Sequence, residues 1–273
     1  MPDTIDLDRS GPIFTVTLNR PDSHNALTPQ MIGELTEAFQ RLGSEEGVRI
    51  VVLTGRGRSF CAGADLGHMR AAADDTFEEN VASAQAIYDL MHAVDRCPRP
   101  VLGRINGAAI GGGAGLVSCC DVAIAMKSAI FAFSEVRLGI LPAVISPFVL
   151  AKIGAGAARE LFLTGERFPA ERARHIGLVH HVVPDEAALD EKVSERLEQL
   201  LRAAPGAQAA AKTLIRTVTQ EPPEEIRAYT SLLIARRRAS EEGREGMSAF
   251  LEKRDPSWRG GADHLSHSDE GKR

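Results

Sequence analysis

The chain is predicted to fold as an α/β domain followed by a helical C-terminal region, and three patterns carry that prediction. Runs such as Ile50-Val51-Val52-Leu53 have no polar side and end at glycine, as strands covered on both faces do. Strand-like run, loop and helix-like segment recur through the first two-thirds, the rhythm of a largely parallel sheet carrying helices. From Gly156 onward helical segments dominate, punctuated by Pro205-Gly206 and Pro222-Pro223.

In chain order, residues 4–8 and 12–18 read as two strands about a turn at Arg9-Ser10-Gly11. Residues 19–25 form a loop, after which Thr28 can cap a helix that has Pro29 at its first position. Met31, Ile32, Leu35, Phe39 and Leu42 follow at helical spacing and give that helix one apolar face. Beyond the strand at 50–53, Ser59 to Leu66 is a loop of small residues around Gly63. Residues 69–91 are charged and alanine-rich, the composition of a solvated helix or a helical flap over a site. Residues 122–125 and 129–133 read as strands. Helices are expected at 157–163, 169–176, 186–203, 207–217 and 224–253. The predicted division is a core over residues 1–200, a helical region over 201–259 and a frayed tail over 260–273.

The stretch from Pro100 to Asp121 organises the chemistry. It reads as strand, glycine loop, helix, with Gly111-Gly112-Gly113 at the helix start. The first amides of a helix have no partner within it and carry the positive end of its dipole, so glycines there admit a negatively charged oxygen. The spacing departs from the dinucleotide fingerprint, which disfavours a nicotinamide dehydrogenase. A glycine-rich turn needed only for close packing stands beside the anion-binding reading. Glu135 is the second candidate, an acid within the apolar run around Phe133 and Leu138; by composition alone it reads as a surface acid at a strand end.

Bulk properties narrow the class. At 273 residues, with 44% hydrophobic content, the chain can bury a sizeable core. A net charge of −5 argues against general nucleic-acid binding. No run of apolar residues is long enough for a membrane span, and Met1-Pro2-Asp3 begins neither a signal nor a transit peptide, so a cytoplasmic location is expected. Cys61, Cys97, Cys119 and Cys120 show no C-x-x-C spacing and are expected as buried thiols. His180 and His181 fall in a strand-like run, where neighbours point to opposite faces, so no metal site is read.

Taken together, Leu18-Asn19-Arg20-Pro21 with Asn25-Ala26-Leu27, Phe60 to Leu66, Asn106 to Gly113, Asp121 and Phe250 to Arg254 make the chain resemble the enoyl-CoA hydratase/isomerase (crotonase) superfamily from about Thr4 to Trp258. The resemblance implies a crotonase-like spiral of ββα units, a helical C-terminal trimerisation region, and a homotrimer or dimer of trimers. It implies an acyl-CoA substrate, with coenzyme A entering as part of that substrate and no separate cofactor. The backbone N–H groups of Ala64 and Gly112 would form an oxyanion hole for the thioester carbonyl, and Glu135 would do the acid–base work. Ala62, Asp65 and Leu66 would lie around the CoA, and Lys253 of a neighbouring chain would reach its phosphates.

Two departures from the family pattern bear on the reaction. The hydratases of the family carry a second glutamate at the position of Gly115, and a glycine there is expected to leave room in the acyl pocket. The run Pro142-Ala143-Val144-Ile145-Ser146-Pro147, with Ser134 to Arg137 before it, is similar to the bacterial branch associated with 3-methylglutaconyl-CoA and related branched-chain substrates. The leading expectation is therefore a hydratase acting on a 2-enoyl-CoA. A Δ3,Δ2-enoyl-CoA isomerase is the alternative within the fold, and a non-catalytic acyl-CoA binder the alternative outside catalysis.

Overall fold

Alternate strands are dealt to two sheets, and this dealing sets the architecture. The computed structural model describes residues 3–65, 67, 75–220 and 223–259. β1 (Ile5–Ser10) and β2 (Ile13–Leu18) form a hairpin and α1 (Pro29–Ser44) follows. Three repeats then each lay down a strand in a large sheet, a strand in a small sheet, and a helix. They are β3 (Ile50–Gly55), β4 (Ser59–Cys61), α2 (Phe77–Arg96); β5 (Val101–Ile105), β6 (Ala108–Ile110), α3 (Gly112–Cys119); and β7 (Val122–Met126), β8 (Ile130–Ala132), α4 (Ser146–Thr164). The order in the large sheet is β1-β2-β3-β5-β7-β10, and in the small sheet β4-β6-β8-β9, where β9 is Arg167–Pro169 and β10 is His181–Val183. All pairings are parallel except β1–β2 and β8–β9. This is the ββα spiral that the resemblance implies.

The unbroken apolar strands are covered on both faces. Ile50, Val52, Leu102 and Ile124 pack against Leu189, Val193, Leu197 and Leu201 of α6 (Glu186–Arg202), while Val51, Leu53, Val101 and Ile105 enter the main core. α1 starts as its sequence dictates: the Thr28 hydroxyl accepts the Met31 amide at 3.2 Å, Pro29 opens the first turn, and Met31, Ile32, Leu35, Phe39 and Leu42 are all buried. α3 is buried over almost its whole surface. The Lys152 ammonium donates to the Cys120 carbonyl at 2.7 Å, satisfying an acceptor at the negative end of this buried helix.

Several boundaries differ from the sequence reading, each for a local reason. The stretch from Pro100 contains a second strand, β6, between β5 and the glycines; three residues are too few to show alternation. α4 holds two helical stretches parted by Gly154, which is non-helical at φ +72; the expected helix at 157–163 is in the second, and the first, from Ser146, is additional. The segment 224–253 is two helices, α8 (Pro223–Ala239) and α9 (Glu241–Glu252), because the Ser240 hydroxyl accepts the Gly243 amide and caps a new start. Residues 69–74 of the expected flap lie outside the described residues; α2 starts at Phe77 behind a Thr76–Glu79 capping box. α5 (Ala170–His175) and α7 (Pro205–Gln220) complete the fold. On α7, the Lys212 ammonium meets Asp121 Oδ2 at 2.5 Å, and that oxygen also accepts the Val101 amide, tying the helix to the edge of β5.

No helix among the described residues is long and apolar enough to cross a membrane.

Candidate active site

The loop after β4 and the start of α3 are pressed together by glycines. Gly63 has φ +86, and a Cβ there would stand 2.6 Å from the Ile110 carbonyl oxygen and 3.5 Å from the Gly112 nitrogen. A Cβ on Gly113 would lie 2.2 Å from the Cys61 carbonyl oxygen. Backbone meets backbone at both points, so no side chain can be accommodated. The packing reading of the glycine run is therefore correct at Gly113, Gly63 packs in the same way from the facing loop, and the two bring the amides of Ala64 and Gly112 into one neighbourhood.

Those two amides are free to act on a ligand. Leu27 bridges to the Ala64 loop on either side of that residue: its N–H donates to Gly63 O at 2.7 Å, and its carbonyl accepts the Asp65 amide at 3.2 Å. Among the described residues, the N–H groups of Ala64 and Gly112 donate to no group of the chain. Ala64 is exposed, and Gly112 is the first residue of α3, where an amide has no intrahelical acceptor.

Asn25 and Arg20 hold the loop in place. Asn25 is completely buried at φ +56; its Nδ2 donates to the carbonyls of Arg56, Ser59 and Phe60, and its Oδ1 accepts the Arg20 amide at 2.9 Å. The Arg20 guanidinium donates to Ala26 O at 2.6 Å and to Asp65 Oδ2 at 3.0 Å. The sequence reading quoted both residues as part of a motif but assigned them no role. The signal available was an arginine and an asparagine in the loop between β2 and α1, asparagine being a residue that tolerates positive φ.

Glu135 opens a short 3-10 turn, Glu135–Leu138, after β8, and Gly139 at φ +77 closes it. Gly111, at φ +51, places its Cα against the carboxyl: a Cβ there would be 3.1 Å from Glu135 Oε1. Oε2 is buried and, among the described residues, has no hydrogen-bond partner. Burial pushes the carboxyl above its ordinary range, and a hydrogen bond to its own backbone pulls it part of the way back. Glu135 is thus half-buried beside the α3 start, and the surface-acid reading is corrected. A carboxyl raised in this way can both accept and give a proton near neutrality.

The structure brings Ala64, Gly112 and Glu135 together, along with Ala62, whose amide donates to His24 O at 3.0 Å. Asp65 is engaged by Arg20, and its Oδ1 accepts the Gly67 amide at 2.9 Å. Leu66 lies outside the described residues. Lys253 is exposed at the end of α9, and among the described residues no hydrogen bond or ion pair joins it to these loops. The four cysteines are buried and free. Burial pushes the thiols of Cys61 and Cys120 up to about 12, so neither is a nucleophile.

One expectation fails here. Gly115 does not leave room: a Cβ on it would be 2.6 Å from Ile145 Cγ2, 3.0 Å from Ile145 Cβ and 3.3 Å from Met91 Cε. The position where relatives carry a carboxylate is filled by aliphatic side chain from elsewhere in the chain.

Residues 8–261 match the enoyl-CoA hydratase/isomerase family. A carnitinyl-CoA dehydratase of Citrobacter koseri is 34% identical over 277 aligned residues, covering 95% of this chain and 100% of the relative. The crystal structure of an enoyl-CoA hydratase from Shewanella pealeana superposes with a TM-score of 0.90 at 38% identity, over 94% of this chain and 96% of that one. Pseudomonas aeruginosa AtuE superposes with a TM-score of 0.91 at 37% identity, over 94% of this chain and all of its own. With the spiral, the paired loops and the acid in place, the chain belongs to the enoyl-CoA hydratase/isomerase family.

Proposed function

We propose that the protein adds water to a 2-enoyl-CoA, with Glu135 as the acid–base group and the Ala64 and Gly112 amides as oxyanion donors. The observation that carries this reading is the pair of unpartnered amides next to a half-buried carboxyl whose Oε2, among the described residues, has no hydrogen-bond partner. As water attacks C3, its proton passes to the Glu135 carboxylate and the C2–C3 π electrons move onto the thioester oxygen. The two amides stabilise that oxyanion, one such donor being worth about 3 kcal/mol. Glu135 then returns the proton to C2 and regains its starting form. No electrons leave the substrate, so no redox cofactor is needed, and coenzyme A enters with the acyl group.

Within this reading the acyl group is branched or of the glutaconyl type. The support is the run from Ser134 to Pro147 and the single carboxyl, which leaves the attacking water short of one holder unless the substrate supplies a polar group. The test is loss of absorbance at the enoyl-thioester band, without nicotinamide, across a panel including crotonyl-CoA and a glutaconyl-type CoA. Equal rates on both would refute the substrate class.

The same single carboxyl also favours a second reading, Δ3,Δ2-isomerisation. There Glu135 removes a proton from C2 and returns it to C4, with no water to hold. A gain in enoyl-thioester absorbance from a 3-enoyl-CoA, with no loss from 2-enoyl substrates, would select it.

The assembly we propose is a trimer or a pair of trimers. Leu232, Ile234, Phe250 and Leu251 are 50–83% exposed on α8 and α9, more apolar surface than a lone chain usually leaves open.

A further inference from the structure

Gly111, the residue before α3, is joined to Gly115 in the first turn of that helix by the hydrogen bond from the Gly115 amide to the Gly111 carbonyl at 2.9 Å, which sets the two one turn apart. The first faces Glu135, and the second faces Ile145. The wall one turn along from the acid is therefore aliphatic. Ile145 is 3% exposed and Met91 is fully buried, so the wall is also dry. Ile145 is branched at Cβ and stiff at χ1, and its carbonyl accepts the Phe148 and Val149 amides at the head of α4. Its Cγ2 cannot swing aside as the end of a long side chain would.

We propose that Ile145 is a specificity-determining residue, which confines the site to one carboxyl by occupying the space over Gly115. This rests on the reading of Glu135 as the acid–base group. Water beside Glu135 then meets no second carboxyl and no polar group from this wall. An acyl group without a polar substituent is hydrated slowly, while proton relocation, which needs Glu135 alone, is unaffected. Selectivity comes from an excluded acid and not from added room for the acyl chain.

The test pairs substitutions at the two positions. Gly115→Ala in the parent protein forces a methyl into Ile145 and lowers the melting midpoint by ~3–10 °C, whereas in the Ile145→Gly background it costs little. Gly115→Glu combined with Ile145→Gly gives a second carboxyl somewhere to stand. That double variant hydrates crotonyl-CoA at least ~10-fold faster than Ile145→Gly alone, part of the ~100-fold a well-placed acid–base group supplies. Its isomerisation of a 3-enoyl-CoA changes far less.

Two results would overturn the proposal. One is a Gly115→Ala variant as stable as the parent. The other is a folded, crotonyl-CoA-binding double variant that hydrates no faster than Ile145→Gly. If the double variant does not fold, the Gly115→Ala pair decides. A parent protein that neither hydrates nor isomerises any enoyl-CoA is a different failure, that of the functional reading itself.

Discussion

Replacing Glu135 by glutamine separates the two things its environment does. The substitution keeps the shape of the side chain and removes the ability to carry a proton between water and carbon. Among the described residues the other carboxyl of these loops, Asp65, is already held by Arg20 and the Gly67 amide, so it is not placed to take over. Turnover should fall at least ~100-fold, a barrier increase of about 2.7 kcal/mol. Binding of crotonyl-CoA should survive, because the amides proposed to hold the thioester oxygen, those of Ala64 and Gly112, are left unchanged.

The same variant has a signature in stability. Burial raises the folded-state value of Glu135 above its ordinary 4.5, so between 4.5 and the raised value the folded chain holds more protons than the unfolded one. Stability falls as pH rises through that window, and the cost of the buried charge is then constant. Glutamine cannot ionise. The variant should match the parent below pH 4.5 and become the more stable of the two as pH rises. The assays are the loss of enoyl-thioester absorbance and thermal denaturation across pH. Near-normal turnover would remove Glu135 from the chemistry, and a variant less stable at neutral pH would refute the reading of an uncompensated buried carboxyl.

Three further outcomes follow from the geometry. Gly113→Ala drives a methyl into the Cys61 carbonyl, a contact that no rotamer change relieves, and should cost about 3 kcal/mol by chemical denaturation. Asn25→Ala orphans the Arg20 amide and the carbonyls it serves; at roughly 1–3 kcal/mol per buried orphan, a loss of 3 kcal/mol or more is expected, with reduced turnover in whatever folds. Light scattering at micromolar concentration should give a mass near three or six chains, and a monomer would contradict the proposed assembly.

What was legible in the sequence is what depends on near neighbours. The apolar face of α1, its Thr28 cap and the two-sided burial of β3 follow from spacing and residue type, and all three form as read. The small-sheet strands were harder, because three residues such as Ala108 to Ile110 carry no period; they are strands because β4 and β8 flank them. Position in space was not legible from local pattern, and it was the family resemblance that set Glu135 with the paired loops. Glu135 reads as a surface acid from composition, and only the return of the chain beside Gly111 makes it half-buried.

The glycines show why local pattern stops short of the site. Gly63 and Gly113 yield to neighbouring backbone, Gly111 to a carboxyl, and Gly115 to Ile145, a side chain from the segment that follows β8 and the Glu135–Leu138 turn. One residue type thus does unlike work at four positions, and the difference lies wholly in what faces it. An absent side chain is therefore ambiguous in sequence. It can mean open space, as at Gly139, where a Cβ would meet nothing within 4 Å, or space already taken, as at Gly115. The Gly112 amide was legible as unpaired because the first turn of a helix leaves it so, whereas Ala64 entered only through the family resemblance. The missing second carboxyl was legible as an absence. Its physical meaning, a dry wall and not an open pocket, depends on Ile145, and that is why the substitutions at Gly115 must be made with Ile145 and not alone.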